Sequence, residues 1–408
     1  MINFTFVGNL KSIPSTEKWK TFGEDTYPSG WTRRTLSFNA INGTNRHTMT
    51  IQGGYFPNKP GYTIKTSGPM TKDENGKNVA GEQIEILWKD RKDPKQIEKV
   101  ANFRRLVADI EESGRRQALE RLATNLHEGT PVTEKDLEAV GLTDESEVAS
   151  ALEESKKKHV EFLSEWDFAE FVHNMLESRE YDDKKFYIRG VIDIQYNAEK
   201  KTWYTSLKPQ RIYLAKSDEE EYCTGSCKLY YTKDAVNDAL LEEKEKYVVT
   251  AYTFERDSTL KENIPYQVSI SIPSKIPHVK GIDDGKDELR AKGVVKKFTV
   301  NEDVVKEYGI EFEMLDGAQK KEITEDMLSD TQKDDLEMGL ITWEDIEADF
   351  GSDIYGEKVT EYVYKGVMKG YTSGPEDVVM ETSKLDIDTY FDYKTTEDDE
   401  NELDSLFD

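Results

Sequence analysis

Trp31, Arg33, Arg46, His47, Tyr55, Phe56 and Lys59 crowd one short stretch of the chain, and Trp88 and Lys89 follow it. Flat rings offer faces for stacking, and cations offer charge to phosphate oxygens. The chemistry that suits this mixture is non-covalent capture of unstacked bases and their backbone. A later group, Arg189, Trp203, Tyr204, Lys208 and Arg211, repeats the mixture, flanked by Lys200 and Lys201. A stacked base contributes about 1–3 kcal/mol, so two or three open rings would dominate affinity. Packing is the competing use of such residues, because strands favour aromatics for burial alone. Strand parity separates the two uses. Trp31, Arg33, Thr35 and Ser37 share one face; Arg34, Leu36, Phe38 and Ala40 share the other, which reads as core. Arg46 falls at a hairpin tip, in easy reach of a phosphate.

Covalent chemistry finds less support. The sequence has no Gly-Lys-Ser/Thr phosphate loop, no Gly-x-Ser-x-Gly elbow and no His-Glu-x-x-His pair. The acidic sets Asp345/Asp349 and Asp334/Asp335/Glu337 have the composition of a two-metal site. They lie in a segment acidic on nearly all sides, which reads better as a solvated helix face. The 5 histidines show no ligand spacing. Cys223 and Cys227 read as reduced thiols, because neighbours on one strand rarely meet disulfide geometry. The expectation is a binding protein that catalyses nothing and holds no cofactor and no metal.

A net charge of −27 argues against a polyanionic partner if the charge is spread evenly. It is not. Residues 1–110 carry 17 Lys/Arg against 11 Asp/Glu, and residues 184–216 carry 8 against 2, a net of +6 each. Residues 301–408 carry 9 against 33, a net of −24. Such asymmetry points to a basic binding region and an acidic tail. The last segment, Glu397–Asp408, has 7 acids in 12 residues and is predicted to be disordered. It carries Asp398, Asp399, Glu400 and Asp404, and ends in Leu406 and Phe407 beside a final Asp. A purely solubilising tail needs no Leu-Phe at its tip, so those residues point to docking on a partner.

The elements that must position these groups are mostly strands. Ile2–Leu10, Trp31–Ile41 and His47–Ile51 alternate apolar and polar residues, with Asn42-Gly43-Thr44-Asn45 as a tight turn. Gly53-Gly54 is expected to interrupt the ladder as a bulge. Residues 57–81 read as a long loop, and Glu82–Trp88 as a strand. From Pro94 to about Ser178 the period is helical, with Ile97, Val100, Phe103, Leu106, Val107 and Ile110 in one stripe. Ser164–Leu176 is a clear amphipathic helix. Strands resume at Phe186–Tyr196, Thr202–Leu214, Tyr222–Tyr231, Tyr247–Phe254 and Tyr266–Ile272. Ala291–Val300 and Ile310–Leu315 also read as strands, Thr324–Phe350 as an acidic helical segment, and Val359–Met368 and Asp377–Met380 as closing strands. No apolar run approaches a membrane span, and no secretory signal is visible, so a cytoplasmic location is expected.

The order β-β-β-α-β-β is that of the OB-fold. NFTFVGNLKSIP at 3–14, TRRTLSFNAI at 32–41, MTIQGGYF at 49–56, WDFAEFVHNML at 166–176 and FYIRGVIDIQY at 186–196 occur in that order. In this ordered set the chain resembles bacterial and phage single-stranded DNA-binding proteins, which also end in an acidic tail with a terminal aromatic or apolar residue. The resemblance covers about half the chain plus the tail. It implies a mainly β, α+β chain: an OB-fold barrel at 1–216 with a helical insertion at about 94–162, a second β-rich, OB-like acidic domain at 217–392, and a disordered tail at 393–408. It further implies single-stranded DNA as ligand, replication and recombination proteins as tail partners, and a host cytoplasm if the chain is phage-encoded. The competing reading is a phage structural or scaffold-type protein whose OB-like barrels bind other proteins.

Overall fold

Apolar residues at every second position of Ile2–Ser12 bury Ile2, Phe4 and Phe6, and this first strand, β1, becomes the hub of the molecule. In the computed structural model the strands that follow are β2 (Phe22–Thr26), β3 (Thr32–Asn42), β4 (Asn45–Tyr55), β5 (Thr63–Ser67), β6 (Thr71–Lys72), β7 (Asn78–Val79), β8 (Gln83–Leu87), β9 (Leu106–Asp109) and β10 (His159–Phe162). Then come β11 (Lys185–Asn197), β12 (Thr202–Leu214), β13 (Tyr222–Tyr231), β14 (Val236–Asn237), β15 (Lys246–Arg256), β16 (Asn263–Pro273), β17 (Val305–Lys320), β18 (Tyr355–Val367) and β19 (Glu376–Val378). The helices are α1 (Pro94–Ile97), α2 (Arg115–Glu128), α3 (Glu134–Glu138), α4 (Val148–Lys157), α5 (Glu165–Ser178), α6 (Leu241–Lys244), α7 (Asp287–Lys297) and α8 (Asp330–Glu337). The structure describes residues 1–391 except 18, 75, 113, 258–259, 279–283, 302–303, 321–322, 324–326, 344, 347–354 and 372–373. The tail residues Asp398, Asp399, Glu400, Asp404, Leu406 and Phe407 lie outside the described residues.

The chain is mainly β, with helices set between strands. In the first half β1 pairs with β3, β3 with β4, β4 with β12, β12 with β11, and β11 returns to β1. The β4–β12 pair is parallel and joins at Leu207↔Met49; the others are antiparallel. The second half repeats this order. β13 pairs with β15, β15 with β16, β16 in parallel with β18, β18 with β17, and β17 returns to β13. A helix separates the third and fourth strands of each set, α5 in the first and α7 in the second. The two first strands, β1 and β13, pair antiparallel through Asn3↔Ser226 to Val7↔Tyr222. One apolar cluster therefore runs from Phe6 and Phe38 to Tyr308 and Phe312.

Three sequence expectations are corrected. The stripe from Pro94 to Ile110 is not one helix: α1 stops at Ile97, and Leu106–Asp109 is a strand. Leu106, Val107 and Ala108 are all buried, and a continuous apolar run of this kind fits either period. Residues 57–81 are not a plain loop, since β5 pairs with β8 along Thr63↔Leu87 to Ser67↔Gln83. Ala291–Val300 is largely α7 rather than a strand. Ala291, Val294, Val295 and Phe298 recur at helical spacing and pack into the core. The true helical insertion, α2 to α4, has its own small core of Leu119, Leu122, Leu137, Val140 and Val148. Thr133 caps α3 with a capping box, as the Thr133–Asp136 spacing predicts.

Candidate nucleic-acid interface

At the open end of the β3–β4 hairpin the register puts Thr32 opposite Tyr55, and so Trp31 beside Phe56. Trp31 meets Phe56 edge to face at 5.0 Å and Tyr62 at 6.3 Å, and Phe56 meets Tyr62 at 6.0 Å. Each edge-to-face contact sets the edge of one ring on one face of the other. All three rings are half-buried. Lys59 lies 4.0 Å over the Phe56 ring, and Arg33 lies 5.1 Å over Tyr27 while pairing with Asp25 at 3.2 Å. Lys65 pairs with Glu85 at 3.3 Å across β5 and β8. Lys89 is exposed in the short turn that follows β8.

Beneath this surface a second layer is committed to holding it. Tyr55 stacks on Trp88 at 4.4 Å and meets Trp166 of α5 edge-on at 5.0 Å. Arg91 lies 4.1 Å over Trp88 and grips Asp167 through two hydrogen bonds, of 2.6 and 3.0 Å. Burial alone would raise the Asp167 pKa, but Arg91 and Lys92 hold it below the usual carboxylate range. Arg34, assigned to the core face by parity, is 9% exposed, and its guanidinium lies 4.0 Å over Trp166 while donating to Glu24. Lys208 pairs with Glu165 at 2.9 Å. Burial and the nearby Glu165 both raise the Tyr62 pKa.

Gly53 and Gly54 do not bulge, for the ladder continues through Arg34↔Gly53 and Arg33↔Gly54. They make room instead. A Cβ on Gly53 would stand 2.7 Å from the Glu165 Cβ, and one on Gly54 would stand 2.9 Å from the Trp31 indole and 2.3 Å from the Thr32 carbonyl oxygen. The glycine pair lets α5 and Trp31 close on the strand from its two sides. Gly43, at the tip, takes a positive φ of 55°, as the turn requires.

The predicted residues are thus distributed unevenly. Trp31, Arg33, Tyr55, Phe56, Lys59, Trp88 and Lys89 gather at this end, and Lys208 reaches it through Glu165. Trp88 is a framework ring between Tyr55 and Arg91 rather than an open platform. Arg189 is exposed directly opposite Arg211 on β11–β12, and Arg211 donates to the Asn102 carbonyl at 2.7 Å. His47 is 4% exposed, against Phe6, and burial lowers its pKa, so as it stands it faces the interior rather than a ligand. Arg46 is exposed at the far tip of the hairpin. Trp203 and Tyr204 are also remote. Because Leu207 pairs in parallel with Met49, Trp203 and Tyr55 are offset by ten residues along the strands, about 33 Å. Tyr62, between Lys59 and Lys65, and Arg91, in the run from Trp88 to Lys92, carry a sequence signal and join the site. Arg34 and Trp166 were missed as partners. Asp334, Asp335 and Glu337 lie along α8, Asp345 bonds Thr342, and Asp349 is outside the described residues. Cys223 and Cys227 are free buried thiols, and burial pushes Cys227 up to about 12. Among the described residues no helix is long and apolar enough to cross a membrane.

No family model and no curated protein matches the chain. Among solved structures, a deletion mutant of the single-stranded DNA binding protein from Thermus aquaticus aligns over 77% of this chain and 87% of that one. Its identity is 7% and its TM-score 0.26, and a likeness that low carries no argument about this chain.

Proposed function

We propose that the chain binds single-stranded DNA, without catalysis, across the open end of the β3–β4 hairpin. The observation that carries this reading is the half-buried ring cluster Trp31, Phe56 and Tyr62, with Lys59 over the Phe56 ring and Arg33, Lys65 and Lys89 close to these rings along the chain. Stacking faces and phosphate-neutralising cations occur there together, and an unstacked strand offers both partners at once. The pairing order β1-β3-β4-β12-β11 supports an OB-type barrel as the scaffold, with this hairpin as its second and third strands. In the full reading the protein coats single strands in the cytoplasm during phage-type replication and recombination. The acidic end, through Leu406 and Phe407, recruits the other proteins.

Titration with oligo-dT, read by tryptophan fluorescence, tests the reading. Quenching that saturates, weakens with salt and is much smaller for duplex is expected. Equal affinity for duplex, or no binding of either, would sink it. Deleting Glu397–Asp408 is expected to tighten binding at low salt, because its 7 carboxylates compete with phosphates for the same cations.

A further inference from the structure

The hairpin end of β11 and β12 builds a second set of rings, against the other half of the chain. Tyr196 and Trp203 approach to 4.7 Å, and Trp203 meets Tyr266 of β16 edge to face at 5.0 Å. Trp203, Tyr252, Pro265 and Gln267 line one side of a pocket of about 370 Å³. The other side is a later piece of chain, through Thr382, Leu385 and Ile387. Leu385 is 6% exposed, and Phe391 packs on Tyr196 at 5.0 Å.

The covered face has a specific place in the fold. In the second ring of pairings β15 and β16 stand where β3 and β4 stand in the first. Val249, Ala251 and Thr253 of β15 point into the core, so Tyr252 points out, as Trp31 and Arg33 do beside the equivalent strand. The piece of chain on this face also bonds chiefly to itself. The Lys384, Asp386, Thr389 and Tyr390 amides donate within Glu381–Ile387, and the Thr389 and Tyr390 hydroxyls donate to carbonyls of Ser383, Asp386 and Lys384. Among the described residues no hydrogen bond runs from Thr382–Phe391 to β15 or β16. A segment that satisfies its own polar groups and is seated by Leu385 and Phe391 leaves the face without stranding donors.

We propose that Thr382–Phe391 is a displaceable strap over a second single-strand-binding surface, made by Tyr252 and Tyr266 with Tyr196 and Trp203, beside Lys200 and Lys201. The proposal rests on the single-strand reading of the first surface. Its ligand is the continuation of the same strand. A strand already held near Trp31 presents its far bases to the strapped face at high effective concentration, and a short strand does not reach it.

The test uses the full chain and a Leu385→Asp/Phe391→Ser variant, with dT oligomers of about 12 nucleotides, within the range one barrel covers, and about 40 nucleotides. The short oligomer is expected to bind both proteins alike. The long one is expected to bind the variant about tenfold tighter, since the open face no longer waits on strap release. It is also expected to give added quenching that Trp203→Phe removes. Equal affinity and quenching for the long oligomer in both proteins, with the short one still bound, overturns the strap and leaves the first surface standing. Absence of short-oligomer binding by either protein overturns the first-surface reading and the strap with it. If circular dichroism shows the variant unfolded, Leu385→Ala/Phe391→Ala makes the same comparison, with the same two outcomes.

Discussion

Trp31 and Phe38 lie on the same stretch of chain and have opposite fates. Trp31 is half-buried among Phe56 and Tyr62, whereas Phe38 is fully buried in the core. Trp31→Ala is therefore expected to weaken oligo-dT binding by about 1–3 kcal/mol with little change in melting temperature. Phe38→Ala is expected to cost about 3–5 kcal/mol of stability. Paired titration and thermal melts separate them, and a Trp31→Ala chain that melts early while binding normally would return Trp31 to the core. His47 supplies a pH dependence. Burial holds its folded-state pKa below the ordinary 6.5, so below that pH the unfolded chain takes up the proton first. The stability His47 contributes is complete above about pH 6.5 and is lost as pH falls toward the folded-state value. Urea midpoints at pH 7.5 and 5.5 should fall further apart in the natural chain than in His47→Leu. An identical drop in both chains would show that His47 titrates freely.

The elements explain which of these fates was legible. Parity along β3 told Phe38 from Trp31, because one face of that strand is core along its whole length. It also put Arg34 on the core face, but could not show the partners that receive a buried cation there, Glu24 and the Trp166 ring of a distant helix. Nor could local pattern show that Gly53-Gly54 makes room for α5 and Trp31, since both neighbours are long-range contacts. The helical insertion is the reverse case: its helices were legible, and its strand boundaries were not. His159 lies directly opposite Asp109 in the β9–β10 pair, so α2 to α4 leave and re-enter the sheet at one point. Their core is separate from the main one. Replacing residues 112–157 by a short Asn-Gly turn should leave a folded chain with unchanged oligo-dT affinity. The Asp109–Arg116 and Glu111–Arg115 pairs would be lost with it. Failure of the excised chain to melt cooperatively would show that the helices support the sheet.

For the whole molecule, the charge asymmetry and the repeated strand order were both visible as patterns, but where they meet was not. The two basic stretches of the sequence meet only in part, because the parallel β4–β12 pair brings Lys208 to the β3–β4 end and sends the Trp203 end of β12 away from Tyr55. This decides how many cations one strand can meet at the β3–β4 end. Among the described residues Lys59 and Lys89 make no ion pair, while Arg33 and Lys65 pair with the exposed carboxylates Asp25 and Glu85. Two to four phosphates neutralised on single-stranded DNA give a slope of log affinity against log salt of about −1.5 to −3. If Arg46, Arg189 and Arg211 joined these four in a single groove, seven cations would give about −5. Titration of a short dT oligomer from low to moderate salt distinguishes these values. A slope near −5 would mean that one strand gathers cations from both ends of the sheet, and that its path is not the one the Trp31 cluster marks out.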